Sequence, residues 1–177
     1  MRLFRCQHCD QVLYFENTKC ERCGHRLGFL PEVTRLSALE PGENGPALRR
    51  WGQSLRADFP RLQGIVLLSP HWMGPGLEVM ASARPDTWHD FGGFSPALYR
   101  LRYPAPGAPA LALQVAALLQ HAGHAAVLNP ERPLDHGAWV PLMHLFPEAD
   151  VPVVQLSLPV DADAAQVYAL GQALRPL

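Results

Sequence analysis

Four cysteines, grouped as Cys6-x-x-Cys9 and Cys20-x-x-Cys23 with ten residues between the pairs, constrain this chain more than any other feature. A Cys-x-x-Cys turn can aim two thiolates at one point, and two such turns complete a tetrahedron around zinc. Gly24 follows the second pair and supplies the permissive backbone such a knuckle needs. Phe4, Val12, Tyr14, Phe15 and Leu27 are the apolar residues available for a mini-core around it. A module this small does not fold on burial alone, so the metal supplies most of its folding free energy. Four thiolates leave no open coordination position, so this zinc is expected to be structural. A redox use of Cys-x-x-Cys would call for a thioredoxin-like βαβ context, which the sequence lacks.

The remaining sequence bounds the other possibilities. The net charge is −1, with both signs spread along the chain, so no basic patch points to nucleic acid. No apolar run approaches the roughly 20 residues needed to span a bilayer. The opening MRLFRCQHC has no apolar stretch of the kind that begins a signal peptide. A cytoplasmic location without membrane attachment is therefore the expectation, and reduced thiols there favour metal binding over disulfides. Every basic residue but Lys19 is arginine, a composition associated with GC-rich bacterial genomes.

Three zones follow: a zinc ribbon at residues 1–30, a Pro-, Gly- and Glu-rich junction at 31–47, and an α/β domain at 48–177. In the last zone the spacing predicts a helix over Leu48–Asp58, strands at Gly64–Ser69 and Leu77–Ser82, and a helix over Ala110–His121. A strand at Ala125–Leu128, a helix over His136–Phe146 interrupted by Pro141, a strand at Pro152–Leu158 and a helix over Ala162–Leu174 complete the order. The alternation implies a central sheet flanked by helices. The fold expectation is thus α/β: a small N-terminal zinc ribbon followed by a truncated α/β domain.

Three histidines of the larger zone occupy positions where chemistry is often found. His71 follows the strand GIVLLS, and ligands in open α/β sheets gather at the C-terminal ends of strands. His89 and Asp90 form a polar pair among aromatics, and His136 stands between a strand and a helix. On residue type and position alone, each reads equally well as a packed side chain.

Two resemblances sharpen this. MRLFRCQHCDQVLYFENTKCERCGHRLGF resembles the zinc ribbon that opens a family of bacterial zinc-dependent peptidases. The His-Glu-x-x-His helix such a peptidase needs is absent, so that activity does not carry over. From about Leu36 onward the chain resembles class III extradiol dioxygenases of the DOPA-dioxygenase-like branch. The matching stretches are SPHW (Ser69–Trp72), WHDFGGF (Trp88–Phe94), LYRLRYPAPG (Leu98–Gly107), LDHGAWVPL (Leu134–Leu142) and PVVQLSL (Pro152–Leu158). The resemblance implies metal-dependent, O₂-driven ring opening of a catechol such as DOPA, with non-haem iron or zinc as the metal. It implies that His71 is an active-site metal ligand, His136 a catalytic proton donor or substrate contact, and His89 a supporting residue behind them.

The same resemblance implies an incomplete site. The family's first ligand motif, His-Gly-Ser-Pro-Met, has no counterpart before Ala38-Leu39-Glu40, where Glu32 stands instead. The later Gly-Ser-Gly…His-Asn segment is also missing. One ligand does not hold iron, so the isolated chain is expected to be inactive. An uncovered sheet edge is expected to invite self-association. Two alternatives stay open: a non-enzymatic zinc-ribbon protein whose second domain is a binding scaffold, and an artificial or accidental fusion at the shared Leu36–Pro41 stretch.

Overall fold

The computed structural model describes residues 3–14, 19–30, 35–39, 44–93 and 96–177. Glu32, Phe15 and Phe94 lie outside the described residues. The chain divides into two compact units, Met1–Ala47 and Leu48–Leu177.

In the first unit, β1 (Leu3–Arg5) pairs antiparallel with β2 (Val12–Tyr14), and β3 (Arg26–Leu30) with β4 (Arg35–Leu39). The strand β4 differs from the irregular junction expected at 31–47. Its five residues take up the backbone pairing offered by β3, which composition alone does not reveal. The two knuckles repeat one hydrogen-bond pattern. The Cys6 N–H donates to Gln11 O and the Asp10 N–H to Cys6 O, just as the Cys20 N–H donates to His25 O and the Gly24 N–H to Cys20 O. Each turn closes on a left-handed residue, Asp10 at φ 59° and Gly24 at φ 77°. Asp is one of the few side-chain-bearing residues that tolerates this. Phe4, Leu13, Cys6 and Cys20 are buried, with Leu27 packed against them. Val12, expected in this mini-core, is exposed, because alternation along β2 turns its neighbour Leu13 inward instead.

In the second unit, helix α1 (Asn44–Asp58, entering from the first unit) leads to β5 (Ile65–Gly74) and β6 (Leu77–Met80). A 3-10 turn at Leu98–Arg100 precedes α2 (Pro109–His121), β7 (Ala126–Asn129), α3 (His136–Leu145), β8 (Val153–Pro159) and α4 (Ala164–Ala173). Pro141 is accommodated inside α3. A full capping box between Asp163 and Gln166 starts α4.

The sheet order is β5-β8-β6-β7, parallel between β5 and β8 and between β6 and β7, and antiparallel where β6 meets β8. The central strand β8 is buried on both faces, and its alternation divides the core. Val153 joins Trp72, Tyr103, Trp139, Leu142 and Phe146 on the α3 side. Val154 and Leu156 join Ala112, Val115, Leu119 and Leu170 on the side of α2 and α4. Between Val153 and the strand's end, Gln155 is fully buried and reaches the polar cluster beside α3. Among the described residues no helix is long and apolar enough to cross a membrane.

Candidate functional site

Two groups of metal-ligating side chains stand out among the described residues: Cys6, Cys9, Cys20 and Cys23, and His71, Asp90 and His136.

In the first group the thiols cross-pair, with Cys6 Sγ 3.6 Å from Cys23 Sγ and Cys9 Sγ 3.5 Å from Cys20 Sγ. Those spacings are far too long for a disulfide. They match the edge of a tetrahedron with Zn–S bonds of 2.3 Å, about 3.8 Å. Backbone amides, foremost that of Cys23, lower the Cys20 thiol to about 6. The His25 amide works the same way on Cys23, but burial and the three neighbouring thiols outweigh it and push Cys23 up to about 12. Four thiolates this close repel one another unless a cation joins them, which is the donor set zinc requires.

The second group is built where β5, β8 and α3 converge. The sequence places His71 just past a strand. Instead β5 runs on through it, with its register against β8 shifting between Leu68 and Met73. The side chains of Ser69 and Asp135, both fully buried, tie the site together. Ser69 Oγ donates to Asp135 Oδ1 at 2.6 Å and accepts the His71 N–H at 3.2 Å. Asp135 is also the N-cap of α3, accepting the Ala138 N–H at 3.2 Å, and takes hydrogen bonds from Gln155 Nε2 and, at 3.0 Å, from Arg132 Nη2. The Arg132 guanidinium lies between the rings of Trp72 and Trp88, 4.5 and 4.8 Å from their centroids. One carboxylate thus fixes both the backbone of His71 and the start of the helix bearing His136.

Asp90 supplies the third member. The loop carrying it is pinned by Trp88 N–H to Leu134 O and by the Trp139 indole to Trp88 O, both at 2.8 Å. Asp90 Oδ1 accepts the His136 N–H at 2.8 Å and lies 2.9 Å from His136 Nδ1; Oδ2 is 4.0 Å from His71 Nδ1. Burial pushes the Asp90 carboxyl up, but the amide and ring of His136 outweigh it and leave it below its ordinary value. The two imidazoles are 3.9 Å apart, centroid to centroid. Gly137 makes this approach possible. A Cβ there would meet His71 Cδ2 at 2.5 Å and Ser69 Oγ at 2.7 Å.

His89 is not part of the cluster. Its Nε2 lies 3.1 Å from the Leu101 carbonyl, and its ring packs edge-on against Phe91 and Trp139. An apolar groove of about 530 Å³, lined by residues such as Leu55, Leu67, Leu142 and Phe146, borders the site only at Gly137 and is touched by none of the three clustered side chains.

Asp90, Asp135 and Gln155 are the members that sequence reasoning missed as site residues. The carboxylate beside His89, in a stretch of aromatics, was the one available signal for the first. Asp135 stands beside His136 in the LDHGAWVPL stretch, and Gln155 is recognisable only once β5, β8 and α3 are assembled.

Residues 38–177 match the family described as the catalytic LigB subunit of aromatic ring-opening dioxygenase, and residues 3–59 match a zinc-ribbon domain. The chain belongs to the LigB family of ring-opening dioxygenases and carries a zinc ribbon. It is similar to the 4,5-DOPA dioxygenase extradiol of Escherichia coli K12, at 42% identity over 81% of this chain and 55% of that protein. It is also similar to the 4,5-DOPA dioxygenase extradiol of Beta vulgaris, at 43% identity over 84% of this chain and 56% of that one. A solved structure of an uncharacterized protein from Escherichia coli K12 superposes with a TM-score of 0.59 at 34% identity, covering 84% of this chain and 52% of its own. The chain spans about half the length of the curated relatives it matches.

Proposed function

We propose that residues 48–177 carry part of an extradiol-type site for a small catechol such as DOPA, in which His71 is a ligand to iron or zinc and His136 contacts the substrate and handles its proton. The observation that carries this reading is the pairing of His71 and His136, from two family-matching stretches, with ring centroids 3.9 Å apart over Gly137. When bound, the metal would polarise the catechol oxygens and bring the two reactants together.

The chain's own residues do the rest. Ser69 and Asp135 hold the His71 backbone. Asp90 holds the His136 amide and charges its surroundings, and a histidine so placed can hold or release a proton at a catechol oxygen. His89, bonded through Nε2 to the Leu101 carbonyl and packed on Phe91 and Trp139, steadies the loop that carries Asp90. The ribbon at residues 1–30 holds its zinc for folding alone.

The isolated chain is inactive in this reading. With His136 kept free for protons, His71 and Asp90 are the remaining ligands of the cluster, one short of the three that a facial site needs. Self-association through the open edge of β5 belongs to the same account, as does a cytoplasmic setting without nucleic-acid partners.

The test is spectroscopic. Iron-loaded chain in air should perturb the absorbance of 4-nitrocatechol, His71→Ala should not, and neither should form a yellow ring-opened product from DOPA or caffeate. Product from the isolated chain would overturn the inactivity, and an unperturbed spectrum with wild-type chain would overturn the site. The latter is what the alternative predicts, a zinc-ribbon protein whose second domain is a non-enzymatic scaffold.

A further inference from the structure

The parallel strands β6 and β7 end side by side at Met80 and Asn129, and a polar pocket opens just past them, with Ser82 on one side and Glu131 on the other. Crevices beyond the carboxyl ends of strands are where open α/β sheets take their ligands. The pocket holds about 450 Å³, within the range of small-molecule sites, and none of His71, Asp90 and His136 lines it. Its walls are fixed from behind. Gly107 packs so closely on the Ser82 carbonyl that no Cβ would fit between them. Thr87 bridges to Leu134, and its Oγ1 accepts the Tyr103 N–H at 2.8 Å. Arg102 Nη1 donates to the Tyr99 and Leu101 carbonyls at 2.9 and 2.8 Å, which holds that guanidinium in place.

The lining selects the ligand. Arg132 covers one side of the Trp88 indole, yet Trp88 stays 43% exposed and contributes an aromatic wall. Such a surface favours a planar ring. Arg84 and Arg102 stand in the same lining as Asp86 and Glu131, and none of the four forms an ion pair among the described residues. The two guanidinium forks match the geometry of a carboxylate. The two acids bring the charge of the lining to zero, so a second negative charge on the ligand gains nothing from the field and meets their repulsion. We propose that this pocket binds a small aromatic monocarboxylate, with its ring on Trp88 and its carboxylate on Arg84 and Arg102. The site is separate from the catechol site proposed above and does not depend on a metal there.

The probe is 3-phenylpropanoate, titrated calorimetrically into the full chain with zinc in the ribbon alone. Wild-type chain should bind it saturably at one site. Arg84 is exposed and supports no other side chain through an ion pair, so Arg84→Ala should keep the wild-type circular dichroism spectrum while weakening binding about tenfold or more, the loss of one charge-assisted contact. Changing the ligand avoids any effect on folding: 3-phenylpropanol without the charge, acetate without the ring and phenyl phosphate with a second charge should each bind about tenfold more weakly or worse. His71→Ala should bind as wild-type chain does. No saturable binding by wild-type chain, or unchanged affinity in Arg84→Ala, overturns the proposal. Equal affinity for 3-phenylpropanol or acetate, or tighter binding of phenyl phosphate, overturns the ligand class. A loss in His71→Ala moves the probe to the histidines and overturns the pocket, while leaving the catechol site standing.

Discussion

Removing the Asp135 carboxylate should cost the larger unit more than any other single side-chain truncation at the site. Asp135 is fully buried and answers four donors: Ser69 Oγ, the Ala138 amide, Arg132 Nη2 and Gln155 Nε2. Asp135→Ala removes a helix N-cap, worth about 1 kcal/mol. It also leaves Arg132, with its side chain 13% exposed, without its counter-charge. Breaking such a pair costs about 3–5 kcal/mol, and the lower end applies because Trp72 and Trp88 still flank the guanidinium. The total is about 4 kcal/mol, a large share of the stability of a domain this size. Asp135→Asn keeps one acceptor oxygen and turns a donor toward Arg132 and Gln155, for about 2 kcal/mol. The assay is urea unfolding followed by tryptophan fluorescence. All four tryptophans, at 51, 72, 88 and 139, lie in the Leu48–Leu177 unit, so the ribbon is silent in this signal. With a urea dependence of about 2 kcal/mol per molar, the midpoint should fall by about 2 M for the Ala variant and about 1 M for Asn. An Ala midpoint within about 0.5 M of wild type would refute the view of Asp135 as the hub.

Three further outcomes follow from the same structure. Stripping the ribbon zinc with a strong chelator should unfold residues around Cys6–Cys23, seen as rapid thiol labelling, while the tryptophan-detected midpoint stays put; a structural zinc contributes about 10–16 kcal/mol at such a site. Gly137→Ala should destabilise the larger unit by about 1–2 kcal/mol and displace His71, because overpacking outweighs the helix-propensity gain; a shift of the His71 ring resonances in nuclear magnetic resonance checks it. Arg56 holds the Asp150 carboxyl below its ordinary range, so the stability this pair adds is present above the ordinary Asp value and is lost as pH falls through the depressed one. Asp150→Asn should therefore flatten the acid limb of stability against pH, measured as the urea midpoint between pH 6 and pH 3, and a limb as steep as wild type would count against the pair.

How much of this was legible in the sequence depended on the range of the signal. The cysteine spacing is local, and it led directly to the four thiols that the fold gathers into one cluster. Helix α2 and strand β8 were readable because their patterns are long and their burial strong, down to Gly123 with φ 86° just past α2. The extension of β5 through His71 was not, because Pro70 and the polar Ser69 read as a strand end while the register shift against β8 is a property of pairing. Pro141 read as an interruption, yet α3 carries it, since packing of Trp139 and Leu142 outweighs local propensity. The site itself was half visible. His71 and His136 stand in recognisable stretches, but Asp90, Asp135 and Gln155 act through contacts spanning 20 to 66 residues of sequence.

The most direct test of the account is the metal content of purified chain after exposure to iron or manganese and removal of excess ion. Two ions per chain, zinc on the cysteines and a second that depends on His71, with His71→Ala losing the second and keeping the zinc, is the predicted result. A single zinc in the wild-type chain, or His71→Ala losing both ions equally, would contradict it.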